Sequence, residues 1–161
     1  MDIHQASSST MNFHTKVRII YASVGVLIGI SIFIVFGFNY HNWDAATWGL
    51  TSGVVACLTL IVHLRYSRKL AMGRHIEPTL LSRWMLLGCF IQLAGVCGFT
   101  VYLTLAITQG QGLQIYGAGY YLTLVWCFMT WKWGFILLLS ARRYRNMLYE
   151  VYTILPKSEK S

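Results

Sequence analysis

Lys132 stands in Trp131-Lys132-Trp133, inside an otherwise uncharged apolar stretch that runs from Tyr120 to Leu139. At helical rise it lies ~15 Å from the basic end of that stretch, close to the middle of a hydrocarbon layer. A cation at that depth costs at least ~2.5 to 3.5 kcal/mol, so such residues usually face a protein interior and mark a site. The five acids, Asp2, Asp44, Glu77, Glu150 and Glu159, all fall in tails or loops. Lys132 therefore needs a backbone carbonyl, a lipid headgroup reached by snorkelling, or an anionic ligand, unless desolvation leaves the amine neutral.

Helical offsets place Phe128 and Tyr121 on the stripe of Lys132, with Trp126 and Trp133 on the adjacent flank. Aromatic residues gather at membrane interfaces in any such protein, but beside an intramembrane cation they make a face suited to a flat, apolar, anionic molecule. A second stripe, Ser52, Ala56, Thr59 and His63, is small and polar and is expected to face a protein interior. There a neutral imidazole can ligate a metal or a haem iron through one nitrogen while a neighbour orients the other, or serve simply as a hydrogen-bonded structural residue. Paired intramembrane carboxylates, HExxH, CxxC pairs and Gly-rich phosphate loops are all missing from the chain, and the expectation is that it is not an enzyme.

The elements that must carry these residues are four apolar stretches, Ile19 to Phe38, Ala45 to Leu64, Trp84 to Ile107 and Tyr120 to Leu139. Each can cross a layer of ~30 Å as a helix. Backbone groups in lipid must bond internally, which predicts an all-α membrane protein built as a bundle of four transmembrane helices. The 13 Lys and Arg sit before the first span, between the second and third, and after the fourth. The loops Asn39 to Asp44 and Thr108 to Gly119 contain none, so by the positive-inside bias both termini are cytosolic. The net charge of +8 is accounted for by orientation and by attraction to anionic membrane lipid, and nucleic acid is not an expected partner. The division is a polar N-terminal tail at 1–15 that reads as loose, a membrane domain at 16–145 and a C-terminal tail at 146–161. Cys57, Cys89, Cys97 and Cys127 all fall within spans, leaving the exoplasmic loops without a disulfide. Gly25-x-x-x-Gly29, Gly49-x-x-x-Gly53, Gly88, Gly95 and Ala94-x-x-x-Gly98 are packing seams, within one chain or between the two copies of a homodimer.

The fourth span and its exit, Tyr120-Tyr121-Leu122, Val125-Trp126, Lys132-Trp133, Phe135, Leu137 and Arg143-Tyr144-Arg145, resemble the signature of the haem-responsive-gene family of four-span haem transporters. Leu105-Ala106-Ile107-Thr108 and His63-x-x-Tyr66 fit the same family. The resemblance implies transport of haem, as substrate and with no other cofactor, from the exoplasmic or endolysosomal side into the cytosol, across the plasma membrane or an endosomal or lysosomal one. It assigns His63 to the iron and Arg142, Arg143, Tyr144 and Arg145 to a cytosolic exit motif. The family's histidine in the second exoplasmic loop has no counterpart in Thr108 to Gly112, which leaves His41 in the first loop, or Tyr116, as substitutes. On this reading Lys132 and Arg143 or Arg145 neutralise propionates, and Trp126, Trp133, Tyr120 and Tyr121 form walls. His63 and Lys132 differ by ~12 Å in predicted depth, which favours successive action along a path. Tyr152 and Leu155 match an endocytic sorting pattern. The alternative from another class is a tetraspan accessory subunit whose Lys132 pairs with a partner's intramembrane acid.

Overall fold

The structure, a computed structural model, describes the backbone of residues 3–71, 77–113 and 115–158, and the side chains of residues 13–69, 77, 79–113 and 115–150. Four helices account for nearly all of it: α1 (Ile3–Ile34), α2 (Trp43–Ala71), α3 (Pro78–Thr108) and α4 (Tyr120–Ser158), with α1 continuing into a π-helical turn at Val35–Asn39. Each contains a stretch long and apolar enough to cross a membrane, Phe13–Asn39, Trp43–Lys69, Thr79–Thr108 and Tyr120–Glu150. No strand occurs among the described residues. Helical backbone runs from Ile3 through the stretch read as a loose tail, and α4 continues to Ser158. The side chains of Tyr152 and Leu155 lie outside the described residues.

Local chemistry explains where the helices begin. Asn42 accepts from the Ala45 amide at 3.1 Å through its side-chain oxygen, capping α2, and Asp44 adds a carboxylate to the first turn, where the helix dipole favours negative charge. Pro78 opens α3 at a position whose amide has no intrahelical partner. The wide turn at the end of α1 brings Gly37 against Trp43 and Ala46, and the carbonyls of Val35 and Phe36 accept from the amides of Tyr40 and Asn42.

In space the helices run α1, α2, α4, α3. α1 packs on α2, α2 on α4 and α4 on α3, whereas among the described residues the α1 and α4 backbones stay more than 8 Å apart. The central pair is correspondingly the more enclosed. About half of the apolar window of α2 is buried (50%), and 44% of that of α4, against 17% for each of α1 and α3. The flanking helices turn Ile20, Leu27, Phe90, Leu93 and Val101 outward, as hydrocarbon-facing surfaces do.

The seams read from the glycines close within the chain. Gly29 and Gly53 let α1 and α2 meet backbone to backbone, and a Cβ on either would run into the other's main chain. Gly88 and Gly134 do the same for α3 and α4, while Gly95 receives the backbone of Trp131. Gly98 takes the indole of Trp48, which reaches across from α2. Each of these glycines is met by an intramolecular neighbour.

Candidate functional site

At the basic end of the row, where α1 and α4 stand apart, a cavity of about 330 Å³ opens. α4 supplies Trp133, Ile136, Leu139, Ser140 and Arg143 to its wall, one stripe at three- and four-residue spacing. α2 contributes Thr59 and His63, and α1 contributes Arg18, Tyr21 and Ala22. The Trp133 indole closes the inner end and lies against Gly25, spanning the gap between α1 and α4.

His63 is only 1% exposed, and the whole small polar stripe, Ser52, Ala56, Thr59 and His63, is buried as the spacing required. Both ring nitrogens are engaged. Nδ1 lies 3.1 Å from the Tyr144 hydroxyl and Nε2 lies 3.4 Å from Ser140 Oγ. Ser140 lines the cavity and Tyr144 does not, so the Nε2 edge is the one turned toward it. If Nδ1–H donates to Tyr144, the lone pair on Nε2 is left for Ser140 or for a metal. Tyr144 is itself buried and its ring lies 5.8 Å from that of Tyr66, which fixes the orienting hydroxyl in a packed layer with Leu81, Leu137 and Leu148.

Lys132 has found its partners inside the chain. Its ammonium lies 5.4 Å from the centroid of Tyr21 and 5.5 Å from that of Trp133, cation–π contacts that partly replace lost hydration. The two rings are themselves 5.2 Å apart. Lys132 thus lies behind the Trp133 wall and outside the cavity lining, and the stripe mates expected for it do not accompany it. Phe128 is exposed and stacks with Trp131 on the α3 side, at 5.2 Å. The helical offset put Phe128 beside Lys132, but the rings that meet the ammonium are Tyr21 of α1 and Trp133 of α4.

The other predicted site residues divide by end. Of the exit motif, Arg143 lines the cavity and Tyr144 orients His63. Arg142 points outward, and Arg145 is half-buried with its Nε unpaired by any described group. Trp126 is buried seven residues from Trp133, beside Gly49. Tyr120 stacks with Tyr102 at 6.0 Å, and Tyr121 is half-buried; neither lines the cavity. At the loop end, Gly117 donates to the Tyr40 carbonyl at 3.1 Å, and the Tyr40 and Tyr116 rings meet at 5.1 Å. His41 follows Tyr40 with a φ of +53°, an uncommon left-handed conformation for a residue with a side chain, and both His41 and Tyr116 are exposed. Of Trp126, Trp133, Tyr120 and Tyr121, expected to form walls, Trp133 is the one that lines the cavity with His63.

Three lining residues carried no signal of their own in the sequence: Arg18, Tyr21 and Ser140. Arg18 was readable as a topology marker, and Tyr21 and Ser140 as ordinary span residues. Their spacing does hold a clue, because Arg18, Ala22, Gly25 and Gly29 form one stripe on α1, and that stripe faces the rest of the protein.

Four membrane-crossing segments around a cavity lined by cations, an indole and one imidazole define an integral membrane protein, and its family match places it among transporters and not enzymes. Residues 16–42 and 81–133 match the haem-responsive-gene family, described as endosomal/lysosomal haem transporters. The chain is 31% identical over 155 residues to heme transporter hrg-1 of Caenorhabditis elegans, spanning 94% of this chain and 79% of that protein. It is 29% identical to heme transporter hrg-5 of the same organism, over 89% of each chain. Against heme transporter hrg-4, also from that organism, the identity is 26% over 84% of this chain and 83% of the relative. No solved structure matches. The chain belongs to the haem-responsive-gene family of haem transporters. The matched segments hold Arg18, Tyr21, Gly25, Lys132 and Trp133, and His63 lies between them.

Proposed function

We infer that this chain carries haem across a plasma, endosomal or lysosomal membrane and delivers it to the cytosol through the His63 cavity. The observation that carries this reading is the convergence on one space of His63 Nε2, the Trp133 indole and the Arg143 guanidinium, drawn from two helices. Haem needs each of these: a donor for iron, an apolar face for the macrocycle, and a cation for its propionates. The basic end is the cytosolic one by the positive-inside bias, so the cavity opens toward the cytosol and Trp133 closes it toward the exoplasmic half.

At about 330 Å³ the cavity is near the lower bound of ligand pockets, roughly 300–1,000 Å³. It takes one edge of the macrocycle, and the remainder lies in the gap between α1 and α4. His41 and Tyr116, brought to one loop cluster, provide a capture point on the exoplasmic face. Cargo then passes Trp133 before reaching His63, in keeping with the successive depths of Lys132 and His63. Release needs only that Ser140 regain Nε2, a neutral exchange that keeps iron from being held too tightly. The accessory reading requires Lys132 to await a partner's acid, and it draws no support from an ammonium already seated on Tyr21 and Trp133.

The test is growth of haem-deficient cells on low haem with the chain expressed. Rescue by wild type that is lost in His63→Ala is the expected result. Failure of wild type to rescue, together with an unperturbed Soret band when purified protein meets micromolar haem, would sink the reading.

A further inference from the structure

Arg18 is half-buried on α1, and Arg143 stands on α4, a helix whose backbone does not touch α1. Both line the cavity that His63 also lines, one from each side of the gap between α1 and α4. No acid is among the lining residues. Two like charges on facing walls of one cavity repel each other, and an anion placed between them relieves that cost. Lys132, the obvious cation from the sequence, rests on the rings of Tyr21 and Trp133 and is not among the lining residues.

We propose that Arg18 and Arg143 form a two-sided carboxylate clamp, each guanidinium taking one propionate of haem while His63 faces the iron. The assignment rests on haem being the cargo. Guanidinium suits the role because its fork pairs bidentately with a carboxylate, and because two forks on separate helices can grip two carboxylates held apart by a rigid macrocycle. The clamp orients haem with its propionate edge toward the basic end and its apolar edge toward Trp133. It also makes α1 part of the binding site: the site is complete only when α1 stands at the right distance from α4, which Trp133 spans. Affinity is thereby tied to how far apart those two helices stand.

The clamp predicts discrimination by carboxylate charge. Purified full-length protein in phosphatidylcholine nanodiscs is titrated with haem and with haem dimethyl ester, and the Soret band is followed. Wild type is expected to bind haem more tightly than the diester, by roughly tenfold to hundredfold for each charged pair lost. Arg18→Gln weakens haem by a similar factor, leaves the diester affinity unchanged and keeps the position of the bound Soret band, since His63 is untouched. Arg18→Lys restores part of the loss.

Equal binding of haem and diester by wild type overturns the clamp while leaving haem transport standing. Equal weakening of both ligands by Arg18→Gln overturns it in favour of a structural role. Repeating the titration with phosphatidylserine in the disc separates the other source of anion. If Arg18→Gln changes only the retention of phosphatidylserine and not the preference for haem, the guanidiniums hold lipid headgroups and the clamp is wrong. No Soret response to haem in wild type removes the haem reading and the clamp with it.

Discussion

The Trp133 indole occupies the space that a side chain at residue 25 would fill, so a glycine on α1 and an aromatic ring on α4 together set the separation of two helices whose backbones stay more than 8 Å apart. The ring also forms the inner wall of the cavity and lies 5.2 Å from Tyr21. A larger residue at position 25 has to push the indole away or push α1 outward. Gly25→Leu is predicted to cost about 1–3 kcal/mol through overpacking and to lower haem uptake by disturbing the cavity wall. Thermal unfolding in detergent and uptake by expressing cells check this together. Unchanged stability and uptake would mean that the gap is elastic and that Trp133 does not set it.

His63 combines two functions that substitution can separate. Tyr144→Phe removes the hydroxyl 3.1 Å from Nδ1 but keeps the ring that packs on Tyr66. Losing the orienting partner of a ligating imidazole typically costs about 10–100-fold in affinity, so haem binding is expected to weaken by that order while the protein stays folded. His63→Ala should abolish the ligation-dependent Soret shift altogether. A Tyr144→Phe protein that binds haem like wild type would show that the hydroxyl does not select the tautomer.

How much of this was legible in the sequence follows from what lipid does to pattern. Burial in hydrocarbon forces long apolar runs, and for that reason all four helices could be located. The same solvent removes the contrast between inner and outer faces, because a lipid-facing Leu and a buried Leu look alike, and so the order α1, α2, α4, α3 left no trace in spacing. Polar residues retain the contrast. Ser52, Thr59 and His63 were readable as interior because each needs a partner away from lipid, and all three are buried. Arg18 escaped notice because the positive-inside bias already explains a basic residue at that position. Lys132 stood out as an intramembrane cation, yet its contact with Tyr21 could not be foreseen from its own helix.

Lys132→Met tests where the charge acts. Methionine keeps the length and the apolar stem, and removes only an ammonium that rests on two rings, each such contact being worth about 0.5–2 kcal/mol. Because the ammonium lies outside the cavity lining, Lys132→Met is predicted to reduce haem affinity less than Arg143→Gln does, in the same Soret titration. A loss as large as that of Arg143→Gln would place the ammonium on the cargo.

The glycine seam between α1 and α2 gives the sharpest stability contrast. At Gly29 an added Cβ meets the main chain of Gly53, which no rotamer change can move aside, whereas at Gly112 in the loop before α4 nothing lies within 4 Å. Gly29→Val is therefore predicted to destabilise by more than about 3 kcal/mol, because two backbones must separate along a seam that also holds Gly49 against Ile32. Gly112→Ala should stay within about 0.5 kcal/mol of wild type. Thermal unfolding of the two variants in the same detergent measures the difference, and comparable stabilities would mean that α1 is not fixed to α2 along this line. Since α1 carries Arg18 and Tyr21 into the cavity, loss of the seam should also remove haem binding from whatever Gly29→Val protein remains folded, even though His63 and Arg143 are intact.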